Sequence, residues 1–363
     1  MMARKDALTC GIVLCTFNGL SYLDEQLTSL LAQDRQPDRV VIYDDGSNDG
    51  TWEVIKEWAQ RAPLSVSVHQ QSERVGYVRN FEAAVQALDT DLIFLCDQDD
   101  VWLPHKIALM AQAFEDPPDL LLLHTNAKLV DANAEDLGIS LFDALELSEF
   151  EHAAVLTGNA LQVLCRRNLV TGATAAFRRR LLDIALPFPA ALVHDEWLGL
   201  VAAAYGRITL LDASTILYRQ HANNALGMPL EKSKPGGLTP RGDFHAKFAV
   251  RVAELVSLLS ELTPAGAVEP PPILQEMKTH IEFRANLPVE NVKRVASVLS
   301  EWKSGRYGIF SNGFRSVLRD IANYLDSKYQ AFGRERRFCP MSHQRWHNAG
   351  RLALSRPQPS IDQ

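Results

Sequence analysis

Several features that would declare a class at once are missing from this chain. Its 363 residues include only five cysteines (10, 15, 96, 165 and 339), with no C-x-x-C pair and one left over. That argues against a disulfide framework and for a reduced, cytosolic chain. Long apolar runs are also absent: none approaches the ~20 residues needed to cross a bilayer. The opening MMARKDALTCGIVLCTF has basic residues but no long apolar core followed by a small-residue cleavage site, so no signal peptide is expected. The protein is expected to be soluble or at most surface-bound. Positive charge is in deficit, with a net charge of −7. Neutralising phosphates takes clustered Lys and Arg, so no nucleic-acid partner is expected. There is no internal repeat.

What is present reads as an α/β protein. Short apolar runs at GIVLCTF (11–17), RVVIYDD (39–45), LSVSVHQ (64–70), DLIFLCD (91–97) and DLLLLHT (119–125) are strand candidates. Between them Leu23, Leu27, Leu30 and Leu31 recur at helical spacing, with Ser21 as the expected cap and Asp24 three residues on. Trp52, Ile55 and Ala59 repeat the pattern, as do Phe81, Ala84, Val85 and Leu88. Near-continuous apolar strands alternating with helices predict a mostly parallel sheet covered on both faces. Helical stretches are expected near 153–164 and 194–205, and strands at GATAAF and ITLLDA. PLEKSKPGGLTPRGD (229–243) reads as a linker. It divides a first domain, 1–228, from a helical C-terminal region, 244–363. There a helix is expected over 246–262, and Phe314, Val317, Leu318, Ile321 and Leu325 form one apolar stripe.

Chemistry concentrates at three predicted strand ends. CTFNG, with Thr16 and Asn18, closes the first strand; YDDGSNDGT, with Asp44 and Asp45, closes the second; and CDQDDVW, with Asp97, Asp99 and Asp100, closes the fourth. In open α/β sheets ligands bind beyond the carboxyl ends of the strands, so the three motifs converge on one edge. Singly each has a structural reading: Asp-Gly-Ser is a common turn, Asp49 a plausible helix cap, and D-x-D a surface pair. Together they divide labour. Asp44 or Asp45 suits the ring N–H of a uracil or thymine. Asp97 and Asp99 supply oxygen ligands to Mg²⁺ or Mn²⁺, which a diphosphate needs as a bridge to bare aspartates. In ERVGYVRNFEAA, Gly76 permits close backbone approach, and Arg74 or Arg79 would meet a phosphate, hold an aspartate, or simply be solvated. For Trp102 and Trp197 packing outweighs stacking on a sugar.

The order and spacing of T-F-N-G, D-D-G-S-N-D-G-T, R-x-G-x-x-x-N and D-Q-D-D resemble the nucleotide-sugar domain of family 2 glycosyltransferases over roughly residues 9–227. The resemblance implies a GT-A fold and inverting, metal-dependent sugar transfer from a nucleotide-sugar donor. It implies donor-side roles for Thr16, Asn18, Asp44, Asp45, Arg74, Gly76, Arg79, Asp97 and Gly172, the last in VTGATAAFRR. PAALVHDEWLGLVAAAYGRI is similar to the segment carrying the family's base, whose usual Glu-Asp is here His194-Asp195. Asp195 is thus the implied base, with Glu196 as the alternative. LYRQHANNALG is similar to the late R-x-H segment, where His221 would join Asp97 and Asp99 at the metal. The His-Asp form, the D-Q-D-D variant and YGIFSNGFRSVLRDI most resemble the rhamnosyltransferase-like branch. That implies L-rhamnose from a dTDP donor, with another UDP-sugar as the alternative, passed to a glycan or lipid-linked acceptor in cell-surface polysaccharide synthesis.

Two other readings deserve weight. A nucleotidyltransferase would want a Gly-rich loop with Lys or Arg after the first strand, which TFNGLSYLDEQ lacks; an inactive glycan-binding module would not need all of Asp45, Asp97, Asp99, Asp195 and His221. The tail, 331–356, holds six Arg against Glu335 alone. With the C-terminal helices it is expected to dock on an anionic membrane face, placing the enzyme at the inner face of the plasma membrane, or on a partner, or else to be a solvated helical cap with a disordered end.

Overall fold

The computed structural model describes residues 7–222, 224, 253–255, 257, 272–288, 290–311 and 313–321. The strands are β1 Cys10–Thr16, β2 Arg39–Asp44, β3 Val66–Gln70, β4 Leu92–Cys96, β5 Val101–Trp102, β6 Leu120–Val130, β7 Asp136–Ser140, β8 Ala175–Arg178 and β9 Arg207–Arg219. The helices are α1 Leu20–Leu31, α2 Thr51–Arg61, α3 Tyr77–Gln86, α4 Lys106–Ala113, α5 Leu141–Ala144, α6 Glu149–Leu156, α7 Ala160–Leu164, α8 Leu182–Ala185, α9 His194–Tyr205, α10 Pro272–Ala285, α11 Asn291–Lys303 and α12 Arg306–Phe310.

One sheet runs β3-β2-β1-β4-β8-β6-β9-β5, with β7 paired to β6. The α/β expectation holds, but the sheet is mixed rather than mostly parallel: four of its strand pairings are parallel and four antiparallel. Strands β3, β2, β1 and β4 are parallel neighbours, β8 enters antiparallel between β4 and β6, and β6 pairs parallel with β9. Strand β1 is buried along its whole length because it lies between β2 and β4 and is covered by helices on both faces. Of the helical leucines expected for α1, Leu23, Leu27 and Leu30 are buried against the core, whereas Leu31 is exposed. With β1, β2 and β4 side by side, the ends carrying CTFNG, DDGS and DQDD lie on one edge.

Local chemistry revises several expectations. Ser21 is not the cap of α1; it lies inside the first turn, and Gly19 precedes the helix. The start of α1 is held from the neighbouring loop: Thr51 Oγ1 accepts from Gly19 N at 2.9 Å and Asp49 Oδ2 from Leu20 N at 3.2 Å. Asp49 Oδ1 also accepts from Thr51 N at 3.0 Å, so this carboxylate ties the starts of α1 and α2 together. The stretch 153–164 is two helices, α6 and α7, interrupted near Gly158, whose φ of 82° belongs to glycine. In GATAAF only the second half is strand; Gly172–Thr174 form a 3₁₀ turn. The four cysteines among the described residues, Cys10, Cys15, Cys96 and Cys165, are all buried.

By contacts the described residues fall into two units. One reaches to Ala285 and takes in Ile309–Ser311; the other comprises Asn286–Gly308 and the residues from 313 on. Within the second, Tyr307 donates to Asp320 Oδ2 at 2.7 Å, and Arg306 pairs with Glu301 at 2.6 Å. The apolar stripe expected there is split: Val317 is buried, Phe314 and Leu318 are exposed, and Leu325 lies outside the described residues. The 229–243 linker and the Arg-rich tail also lie outside them. Of 246–262 only 253–255 and 257 are described, and these are helical. Among the described residues no helix is long and apolar enough to cross a membrane.

Candidate active site

The sheet edge opens into a cleft of about 530 Å³ lined by Thr16, Phe17, Asn18, Asp45, Arg74, Tyr77, Asp97, Gln98, Asp99, Gly172, His194, Asp195, Tyr218 and His221, among others. Residues from β1, β2, β4, α9 and the segment after β9 thus meet in one place.

The pair Asp44 and Asp45 separates by role. Asp44 is fully buried and takes hydrogen bonds from Thr16 Oγ1 (2.8 Å), Ser47 Oγ (2.5 Å), Ser47 N (2.9 Å) and Gln70 Nε2 (3.1 Å). Four donors fill its lone pairs, so it organises the loop and does not face the cleft, contrary to the donor-side expectation. Asp45 does line the cleft. Its oxygens accept from Val75 N at 2.7 Å and Gly76 N at 2.9 Å, fixing the chain that starts α3. Gly76 takes the φ of 84° that this turn requires. Arg74 lies with its guanidinium 3.9 Å from the centre of the Phe17 ring, at the cleft wall. Arg79 does not reach the cleft. It donates to Phe188 O at 3.0 Å and pairs with Glu82, tying α3 to the segment before α9. Thr16 lines the cleft while donating to Asp44, and Asn18, with φ 48°, accepts from Asn48 N at 3.0 Å.

Gln98 was not singled out from the sequence, although it sits inside D-Q-D-D. Its amide pairs with the Phe17 backbone in both directions, accepting from N at 2.8 Å and donating to O at 3.1 Å. A Cβ on Gly19 would lie 2.2 Å from Gln98 Oε1, so the lone hydrogen of glycine lets the two loops close.

The acidic cluster is electrostatically loaded. Burial, then the charges of Asp99 and Asp195, push Asp97 up to about 7. Asp100 is fully buried, accepts from Arg219 N at 3.0 Å, and is raised further by burial and by its neighbours Asp99 and Asp97. Asp100 therefore belongs to the core. Asp99 lies 2.9 Å from His221 Nε2, and the His221 ring stacks on Tyr22 at 4.6 Å. Arg219, buried, donates to Asp99 O (2.8 Å), Ala132 O (2.9 Å) and Glu25 (2.5 Å), and so pins the segment bearing His221. Among the described residues no three His, Cys, Asp or Glu side chains form a ready metal-binding group. The expected triad is thus not assembled: His221 engages Asp99 rather than a shared point. Asp97 and Asp99 remain two cleft carboxylates whose mutual repulsion a hard cation would relieve, and their oxygens suit Mg²⁺ or Mn²⁺.

Asp195 stands in the first turn of α9 and lines the cleft; Glu196 does not. Its Oδ2 accepts from Gly172 N at 2.8 Å and its Oδ1 from Glu196 N at 2.6 Å. Burial lifts its carboxyl to about 6 despite those hydrogen bonds. Such a group is still mostly ionised at neutral pH and more basic than an ordinary aspartate. His194 stacks on Phe81 at 4.0 Å, and burial holds it at about 3, hence neutral. Trp102 and Trp197 are both buried, in keeping with packing.

Lys106 also escaped sequence reading. It is fully buried, its Nζ donating to Ala173 O at 2.5 Å and lying 4.2 Å from the Trp102 ring centre. It holds the Gly172–Thr174 turn from below while Gly172 N grips Asp195. Burial lowers it to about 8, with the neighbouring Cys96, Asp100 and Asp97 acting in the opposite direction.

Fold and cleft together define a GT-A type transferase, with the acidic motifs at the ends of a parallel half-sheet. Among solved structures, S. aureus TarS residues 1–349 in complex with UDP-GlcNAc aligns over 89% of this chain and 92% of its own, with a TM-score of 0.54 and 16% identity. The model described as glycosyl transferase family 2 matches residues 11–182, so the chain carries a domain similar to that family over this stretch. It is a glycosyltransferase. An uncharacterised glycosyltransferase of Nostoc sp. is 26% identical over 252 residues, 67% of this chain and 76% of the relative. The dTDP-rhamnosyl transferase RfbG of Shigella flexneri is 24% identical over 257 residues, 67% of this chain and 84% of that one.

Proposed function

We propose that this enzyme moves a sugar, L-rhamnose from dTDP-L-rhamnose, onto a hydroxyl of a glycan or lipid-linked acceptor with inversion, as a step of cell-surface polysaccharide synthesis. The observation that carries the reading is the single cleft shared by Asp45, the Asp97–Asp99 pair and Asp195. The rhamnosyl transferase relative supports the choice of donor. Asp45 and the loop it holds receive the pyrimidine, and Thr16, Asn18 and Arg74 border the same end. Asp97 and Asp99 hold Mg²⁺ or Mn²⁺, with His221 orienting Asp99. When bound, that cation supplies charge neutralisation for the diphosphate. Asp195, kept basic by burial and fixed by Gly172 N, takes the proton of the acceptor hydroxyl as the diphosphate departs from the opposite face of the sugar. The reading puts the enzyme in the cytoplasm, with the Arg-rich tail toward the inner face of the plasma membrane.

Thermal shift and calorimetry with dTDP, UDP and GDP in the presence of Mn²⁺ test the donor. Binding to the folded state raises the midpoint. The expected order is dTDP at least equal to UDP, and both tighter than GDP, because a purine lacks the 2,4-dioxo edge. Tighter GDP binding would sink the pyrimidine assignment. Binding of UDP well above dTDP, with hydrolysis of a UDP-sugar and not of dTDP-L-rhamnose, would move the donor to the UDP class. Absence of any metal-dependent donor hydrolysis would favour an inactive glycan-binding module.

A further inference from the structure

Charge divides along this chain where the two units do. Residues 1–285 hold twenty-four Lys and Arg against thirty-eight Asp and Glu; residues 286–363 hold thirteen against six. The second unit begins at Asn286. A strongly acidic catalytic unit is thus followed by a basic one.

The basic unit also turns apolar side chains outward. On α11, Val292, Val295, Leu299 and Trp302 recur at i, i+3, i+7 and i+10, the spacing of one helix face. Val292 is 83% exposed, Leu299 39% and Trp302 44%, whereas Val298, one turn before Trp302 at the margin of this stripe, is buried. The Trp302 ring lies 5.8 Å from that of Phe314, which is 55% exposed, and Leu318, one turn beyond Phe314, is 51% exposed. These side chains make one apolar face, bordered by exposed Lys303 and Arg315. Monomeric surfaces rarely leave such a face uncovered.

We infer that this face docks on an anionic phospholipid bilayer. Trp and Phe flanked by Lys and Arg match the boundary between headgroups and acyl chains, where aromatic rings insert and cations meet lipid phosphates. Among the described residues from 286 on, six Lys and Arg (293, 294, 303, 306, 315 and 319) stand against three acids, Glu290, Glu301 and Asp320, and this local positive excess favours an anionic surface while the acidic unit is repelled. This surface is distinct from the Arg-rich tail. It is also independent of the donor assignment.

The test is flotation of the full chain with vesicles of phosphatidylcholine alone or with about 30 mol% phosphatidylglycerol. The intact protein should float with the anionic vesicles and not the neutral ones. Trp302→Ser with Phe314→Ser should weaken binding about tenfold or more, as buried apolar area is lost. Lys303→Glu with Arg315→Glu, both on the surface, should weaken it about as much and serves if the first variant folds poorly. Donor hydrolysis should be unchanged in both. No flotation of the intact chain would overturn the inference. So would flotation indifferent to both variants, which would leave the tail as the sole anchor. A dimer in sedimentation equilibrium that Trp302→Ser with Phe314→Ser dissociates would assign the face to a second copy instead. Vesicle binding without hydrolysis would count against the proposed reaction and leave this inference standing.

Discussion

Replacing Asp195 by Asn keeps the size of the side chain and removes its basicity. In the native protein burial chiefly holds this carboxyl at about 6, against an ordinary 3.8. A gap of about two units means that the fold disfavours the ionised form by up to about 3 kcal/mol. The folded value is the raised one. The residue's stabilising share is therefore complete below about pH 4 and is lost as pH rises through about 6. Asn does not titrate. The variant should accordingly match the parent near pH 4 and exceed it by up to about 3 kcal/mol above pH 7, read from urea midpoints across the range. Transfer should move the other way, falling by about 10²–10⁴-fold with donor affinity nearly unchanged. The parent's kcat/KM should rise with pH through an acid limb near 6. Glu196→Gln is the control, since Glu196 does not line the cleft, and should leave transfer largely intact. Loss of transfer in Glu196→Gln but not in Asp195→Asn would show that the wrong carboxylate has been named. A variant that loses donor binding would put Asp195 on the nucleotide side. One that loses stability at pH 8 would make its hydrogen bonds to Gly172 and Glu196 structural.

Asp99→Asn should abolish metal-dependent nucleotide binding while circular dichroism stays native, because the side chain faces a cleft and not the core; unfolding with normal dTDP binding by the survivors would make the cluster structural. Asp44→Ala should cost about 3 kcal/mol in urea unfolding, since a buried carboxylate that accepts four hydrogen bonds from Thr16, Ser47 and Gln70 is lost; a neutral result would contradict its assignment as an organiser of the loop. Lys106→Met should lower kcat by about tenfold or more with dTDP affinity little changed, because the turn gripping Asp195 loses its anchor at Ala173 O. A variant of unchanged kcat would confine Lys106 to packing.

Much of this enzyme was legible before any coordinates. Apolar runs of strand length alternating with 3.6-residue periodicity dictate α/β layering, because each pattern buries only one way. Once strands are parallel, their carboxyl ends share an edge, so CTFNG, DDGS and DQDD had to converge. Tertiary structure decided what depends on partners distant in sequence. Asp44 and Asp45 are adjacent and chemically alike, yet Thr16, Ser47 and Gln70 enclose one while the Val75 and Gly76 amides hold the other at the cleft. Arg79 was as fit for a phosphate as Arg74 until Phe188 O and Glu82 took its hydrogen bonds. The start of α1 is capped by residues thirty positions away, which no local motif records. Lys106 reads as a surface lysine in sequence. Only the packing of Trp102 and the 172–174 turn over it makes it a buried cation beneath the site. Local pattern specifies which elements form and where their ends gather; the identity of each buried polar group's partner belongs to the folded chain, because desolvation is decided by everything that closes over it.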